Sequence, residues 1–276
     1  MLELAGYRRL IGFTLLGLAV LLIVGPIAWT FLNSIKTQID IFMGTLSFTP
    51  TWENYDSVLL GRRSNILANV SNSLLVAALS TCVVIVVGTL AAYSLSRLGC
   101  AASLKAVFLG WTVLFHTIPP LTLVGPWYVM AREFGLYDTL TALTLIHIAM
   151  NLPMTIWIMM AFFGEIPEEM AEAASIDGCT SLQTFRKIML PLAVPGLITA
   201  GVLAFVFSWN EFSVALNLTS RSNATVPVAI ARYAQQYEIL HGEMAAASII
   251  STIPALLLMF FGQRFVVQGL TMGAVK

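Results

Sequence analysis

Six windows of the chain contain no Asp, Glu, Lys or Arg: residues 10–35, 64–96, 106–131, 139–164, 188–210 and 244–263. A helix needs about 20 apolar residues to cross a hydrocarbon core ~30 Å thick, so each window is long enough. A transmembrane barrel would show alternating segments of about ten residues, and no such runs occur. Only helices and closed barrels satisfy the backbone in lipid. The pattern therefore predicts an all-α polytopic membrane protein, one domain over 1–276. Its six transmembrane helices are placed at about 10–33, 72–96, 106–130, 139–163, 191–215 and 244–263.

Details within the windows sharpen this layout. The second window exceeds one span, and its start, Asn65 to Ser73, is rich in Asn and Ser, which suits the interface. Pro119, Pro120 and Pro126 interrupt the third. Proline frees backbone carbonyls, so this is either a simple kink or a break lining a pore. His147 and Pro153 lie within the fourth. The first run continues past Trp29 and Phe31 to Lys36, longer than a signal-peptide core, and is read as a retained helix.

The segment 164–190 is different in kind, polar and charged between two long apolar runs. Pro167 suits the first turn of a helix. Glu168, Glu169 and Glu172 then place negative charge near the positive end of the helix dipole. Ala171, Ala173 and Ala174 favour helix and keep it slim. Gly178 fits a helix end with positive φ. Thr180 or Ser181 can cap a second helix that carries Phe185 and Ile188 on one face. Pro191 and Pro195 mark the entry of the fifth span. The expected product is two short helices joined by a tight turn, lying across one membrane face.

Composition agrees with the pattern: 58% of residues are hydrophobic and 10% charged, against about 25% charged in soluble domains. The formal net charge is zero, so nothing points to nucleic acid. A cytoplasmic N-terminus puts Arg8, Arg9, Arg97, Lys105, Arg186, Lys187, Arg264 and Lys276 inside, and Lys36, Arg62, Arg63, Arg132, Arg221 and Arg232 outside. That is a positive-inside bias of the right sign. Cys82, Cys100 and Cys179 form no metal spacing or disulfide framework and read as small packing residues. Lys36, Lys105, Lys187 and Lys276 follow Ile, Leu, Arg and Val, so the Gly-Lys pair of a phosphate-binding loop is absent. No cofactor, metal or catalytic set is expected.

Glu172-Ala173-Ala174, then Asp177-Gly178, then Ile188-x-Leu190-Pro191 resembles the cytoplasmic docking loop of ABC importer permeases. Other segments resemble the carbohydrate, maltose-type branch of that family, on the side of its second, six-helix permease. These are Pro26-x-x-Trp29 with Ser34-Ile35-Lys36, Phe48 to Tyr55, Gly135-Leu136, Trp209-Asn210-Glu211-Phe212, and the tail from Gln263 through Gly269-Leu270-Thr271 to Lys276. Cys179 departs from the alanine common at its position. The resemblance implies a type I importer permease fold in the bacterial inner membrane, with both termini cytoplasmic. It implies a partner permease, two ATP-binding-cassette subunits and an extracytoplasmic sugar-binding protein, touched by an outer loop at about 217–243. Glu172, Ala173, Ala174, Asp177, Gly178, Ile188, Leu190 and Pro191 are then the ATPase-coupling set.

Outside that segment, Asn210 and Glu211 are the most unusual polar pair. An ionisable group at membrane depth is a functional candidate by default, and the alternative is an interfacial or structurally paired carboxylate. Trp209, Asn210 and Glu211 are accordingly expected at the translocation path or outer gate. Gly196, Ala200, Ala204 and Ser208 recur every four residues and suit a close helix contact. His116 and His147 read as packing groups, because no Asp or Glu accompanies either inside a span. Trp111, Trp127 and Trp157 could stack on a sugar, although interfacial anchoring is the commoner role. An ion-gradient-driven secondary transporter is the alternative, but it would want midplane carboxylates and an inverted repeat. An integral membrane enzyme would want His, Asp, Glu or Cys clustered at one depth.

Overall fold

The computed structural model describes residues 2–61, 65–234 and 239–272. Arg62, Arg63, residues 235–238 of the outer loop and the tail from Gly273 to Lys276 lie outside the described residues. The elements are α1 (Leu2–Ser34), α2 (Gln38–Met43), α3 (Glu53–Leu60), α4 (Ile66–Arg97), α5 (Ala102–Thr117), α6 (Pro120–Glu133) and α7 (Leu140–Glu165). They continue with α8 (Glu168–Ile176), α9 (Ser181–Thr184), a π-helical turn (Phe185–Met189), α10 (Leu190–Leu192), α11 (Val194–Asn210), α12 (Ser213–Leu218), α13 (Val226–Ala231) and α14 (His241–Met272). Among the described residues, strand pairing is limited to an isolated bridge between Ala234 and Ile239.

Among the described residues, four helices are long and apolar enough to cross a membrane: Arg9–Ser34, Ile66–Arg97, Leu140–Glu165 and His241–Phe265. Two bent pairs raise this to six if each is one span. The single third helix expected at 106–130 is instead α5 and α6, bent by 97°. A proline disfavours the α conformation at the residue before it, and two in succession do so twice. Pro119 and Pro120 therefore hold Ile118 and Pro119 extended, with ψ of 119° and 133°. Pro120 then opens α6 where no N–H is needed. The fifth helix, expected at 191–215, stops at Asn210. Glu211 is extended, with φ −67° and ψ 125°, and α12 restarts two residues later. At its other end α11 meets the Ser181–Leu192 segment at 72°.

The chain divides into two units, Met1–Leu67 with Ala229–Ile253, and Ala68–Val228 with Pro254–Lys276. In the first, Lys36 is only 1% exposed. Its Nζ donates to the Thr45 carbonyl at 2.8 Å and lies 5.2 Å and 4.7 Å from the Trp29 and Phe48 ring centres. Asn54 donates to the carbonyls of Ser34 and Lys36, and Ser34 bonds the Tyr55 hydroxyl. A cation buried between two aromatic faces thus locks the exit of α1 to the segment before α3.

In the second unit, two apolar cores share the long helices. One gathers Val76, Val124, Leu143, Ile146, Val214 and Leu218 from α4, α6, α7 and α12. The other gathers Tyr93, Ile156, Met159, Phe163, Phe185 and Met189 from α4, α7 and the π turn. Between them, on α4, α7 and α11, lies a seam of buried polar residues: Ser80, His147, Asn151 and Ser208. The small-residue stripe of α11 is buried at Gly196, Ala200, Ala204 and Ser208. A Cβ on Gly196 would come within 2.5 Å of the Phe162 ring, so glycine is what lets α11 approach α7 there.

Candidate functional site

The first candidate is the polar segment after α7. Ile166 and Pro167 are extended, and α8 begins at Glu168 with Glu168 and Glu169 in its first turn. The helix ends in a Schellman arrangement. The Cys179 N–H bonds the Ala174 carbonyl at 2.9 Å, the Gly178 N–H bonds that of Ser175 at 3.1 Å, and Gly178 has φ +77°. Thr180 then caps the next helix in a reciprocal box. Its hydroxyl accepts from the Gln183 N–H, and the Gln183 side chain accepts from the Thr180 N–H. Two turns with fully assigned hydrogen bonds therefore define a rigid elbow.

The elbow is fixed from beneath. Ala174, Phe185 and Met189 are buried, and Phe185 packs on Tyr93 of α4 with ring centres 4.8 Å apart. Arg97, at the end of α4, donates to the carbonyls of Phe163 and Ile166 and sits 3.8 Å from the Glu168 carboxylate. Tyr93 and Arg97 are anchors the sequence reading missed; only the position of Arg97 beside a turn hinted at it. Of the eight residues expected to couple, Glu172, Ala173, Asp177, Gly178 and Pro191 are exposed, Ile188 and Leu190 half-buried, and Ala174 buried. Ile176, 86% exposed, and Leu182 add apolar surface to the same elbow.

The second candidate is a cavity of about 510 Å³ where the two broken spans face α7. Its walls include Phe115, Trp127, Met154 and Phe207, with His116, His147, Asn151, Ser208, Asn210 and Glu211 as its polar lining. Glu211 occupies the break after α11, and its side chain is 8% exposed. Its two oxygens accept from the N–H groups of Val214 and Ala215 at 2.8 and 3.1 Å, which caps α12. His147 Nδ1 lies 2.6 Å from the Ser208 hydroxyl, and its Nε2 lies 3.7 Å from Glu211.

This corrects the expectation that no carboxylate accompanies His147. The partner stands 64 positions away at a helix break, not inside its own span. Asn210 lines the cavity and bonds back to the Val206 carbonyl. Trp209 does not line it. It is buried on the other side of α11, stacked on Phe205 at 5.9 Å. Of the other tryptophans considered, Trp127 lines the cavity, while Trp157 donates to Thr112 and Trp111 is exposed. No group of His, Cys, Asp and Glu fit to hold a metal occurs among the described residues.

Outside the membrane-length helices, Asp138 ties two loops together. Its N–H bonds the Leu218 carbonyl, its carboxylate accepts from the Ser220 N–H at 2.7 Å, and its carbonyl accepts from Asn223. Burial pushes its pKa up, but the bonds from Ser220 and Asn223 outweigh this and hold it below the ordinary carboxylate value.

Comparison with known proteins identifies the family. Residues 84–272, from mid-α4 through α14, match the family described as binding-protein-dependent transport system inner membrane component. The trehalose transport system permease protein of Mycobacterium tuberculosis is 37% identical over 99% of this chain and 98% of its own length. The sulfoquinovosyl glycerol transport system permease of Agrobacterium fabrum is 33% identical, covering 94% and 91%. The trehalose/maltose transport system permease of Thermococcus litoralis is 34% identical, covering 91% of each. Among solved structures, a bacterial ABC transporter for alginate import shares the fold with a TM-score of 0.75 at 21% identity, covering 94% of this chain and 96% of that one. The MetNI methionine ABC transporter shares it with a TM-score of 0.62 at 20% identity, covering 79% and 98%. With membrane-length helices, an elbow built by local capping, and a family match running from α4 to α14, the chain belongs to the inner-membrane permease components of binding-protein-dependent ABC transport systems.

Proposed function

We propose that this chain is one of two permease subunits forming the path by which a sugar or sugar derivative enters the cell, powered by ATP hydrolysed on separate subunits. The observation that carries this reading is the elbow of α8 and α9. Between two helices that reach membrane depth, it offers Glu172, Asp177 and Ile176 outward on a turn stiffened by a Schellman motif and a capping box. Such a unit transmits a push because its base is fixed to α4 and α7 through Tyr93 and Arg97. In this reading Glu172, Ala173, Asp177, Gly178 and Pro191, with the half-buried Ile188 and Leu190, seat in a cleft of one of two ATP-binding-cassette subunits, while Ala174, buried under the elbow, supports them from within.

The same reading sets the topology and the partners. The elbow and both termini face the cytoplasm of the bacterial inner membrane, and the loop after α12 faces a sugar-binding protein outside. Asn210 and Glu211 line the path, with Trp209 packed behind them. The chain hydrolyses nothing itself, consistent with the missing Gly-Lys pair. Sugar is favoured as cargo by the trehalose, sulfoquinovosyl glycerol and trehalose/maltose named for the relatives.

The test is reconstitution in proteoliposomes with a partner permease, ATPase subunits and a receptor. Uptake of labelled disaccharides is expected only with enclosed ATP and external receptor. Uptake that follows an imposed ion gradient without ATP would establish the secondary-transporter reading instead.

A further inference from the structure

We propose that the cavity at the two helix breaks is a sugar subsite held by this subunit, in which one ring hydroxyl is taken between His147 Nε2 and the Glu211 carboxylate. The inference rests on the sugar-import reading above and adds a binding site to it.

One buried polar atom beside the cavity makes no hydrogen bond. His147 is 1% exposed, its Nδ1 is fixed on Ser208 at 2.6 Å, and its Nε2 makes no hydrogen bond. Buried polar groups are almost always hydrogen-bonded, so an orphan lining a cavity marks a position for something else. The nearest protein acceptor is Glu211 Oε2 at 3.7 Å, beyond hydrogen-bond reach. A hydroxyl both accepts and donates. Entering from the cavity and parting these two groups, it takes the imidazole N–H and gives its own hydrogen to the carboxylate.

The surroundings select a neutral polyol over an ion. An anion would meet the Glu211 carboxylate. A cation would find that carboxylate already held by the N–H groups of Val214 and Ala215 and faced by the imidazole. Asn151 and Asn210 each spend an amide hydrogen on a carbonyl of their own helix, from His147 and Val206, and keep the side-chain oxygen for a ligand. Opposite these stand Phe115, Trp127, Met154 and Phe207. A sugar ring has one edge of hydroxyls and apolar C–H faces, which matches a wall of few polar groups set in aromatic surface. The volume of about 510 Å³ falls within the ~300–1,000 Å³ of small-molecule sites.

The experiment uses the complete importer in proteoliposomes, with labelled trehalose, maltose and diacetylchitobiose as probes, and reads sugar imported per ATP hydrolysed. For H147Q and N151A, that ratio is expected to fall about tenfold, the loss of one hydrogen bond in a charged site, while receptor-stimulated ATPase persists. The preference of wild type for the transported sugar over its monodeoxy analogues is expected to shrink in H147Q. Uptake and ATPase falling together with the ratio unchanged would make these residues structural only and overturn the subsite. So would wild-type ratios and deoxy preference in both variants.

A second measurement covers variants that fail to assemble. In an importer with Cys82, Cys100 and Cys179 changed to Ser, the transported sugar, but not glycerol, is expected to slow maleimide labelling of M154C. Equal rates with and without the sugar would overturn the proposal. If wild type moves none of the probes but imports another class of solute with ATP, the sugar reading itself fails; if wild type imports a probe and the variants behave like it, only the subsite fails.

Discussion

Replacing Gly178 separates the conformational demand of the elbow from its contacts. Gly178 has φ +77°, and a Cβ added there meets no atom within 4 Å. A substitution therefore adds no clash, and its whole cost is the left-handed backbone. For an ordinary L-residue that cost is about 1–2 kcal/mol, a factor of roughly 5–30 in the population of the native turn. A β-branched residue is penalised more, and asparagine less, because it visits this region several-fold more often. The expected order of receptor-stimulated ATPase and uptake is Gly178, then G178N, then G178A, then G178V. Subunit assembly, read by co-purification, should be retained at least through G178A, since the base of the elbow on Tyr93 and Phe185 is untouched. G178V coupling as well as wild type, or G178N proving worse than G178A, would refute the argument that a left-handed turn sets the elbow.

Four further outcomes follow from other sites. E172K reverses an exposed charge on α8, so thermal stability should change by less than about 0.5 kcal/mol while sugar uptake drops; unchanged uptake would remove Glu172 from the coupling surface. R97A leaves the Phe163 and Ile166 carbonyls without their donor, a loss of about 1–3 kcal/mol for each group left unsatisfied; hydrogen exchange in residues 165–178 should speed up, and R97K should rescue poorly because an ammonium lacks the guanidinium fork. K36A empties the space between Trp29 and Phe48, and about 2 kcal/mol or more should be lost from thermal unfolding for a desolvated cation on aromatic faces. Asp138 has a lowered pKa in the folded protein, so its contribution is present above its unfolded value and lost as pH falls through the folded one; exchange of the 218–223 amides should rise on that acid limb in wild type and stay flat in D138N.

How much of this could be read from the chain depends on whether the cause is local. The charge-free windows fall on α1, α4, the α5–α6 pair, α7, α11 and α14, because lipid demands a property of each residue in turn. The Gly178 turn and the Thr180 cap are also local, set by residues within five positions of one another. The 97° break was harder to foresee, since proline pairs produce both kinks and breaks and neighbouring helices decide between them. The charge pattern puts Glu211 inside a continuous helix, whereas its carboxylate caps α12 and so ends α11 at Asn210. The pairing of His147 with Ser208 and Glu211, and the grip of Arg97 on α7, join residues more than 60 positions apart. Nothing in the spacing of a single sequence encodes such neighbours.

The polar seam across α4, α7 and α11 has a mechanical consequence. Each apolar core closes on its own side of it, and α4 and α7 run unbroken through both, so the two greasy interiors are joined by continuous backbone and parted only by side chains. A bend of α4 or α7 at this depth breaks a few hydroxyl, amide and imidazole contacts before it opens either interior. Midway along these helices the packing is therefore polar, and the contacts there are ones that can be traded for others without exposing an apolar core.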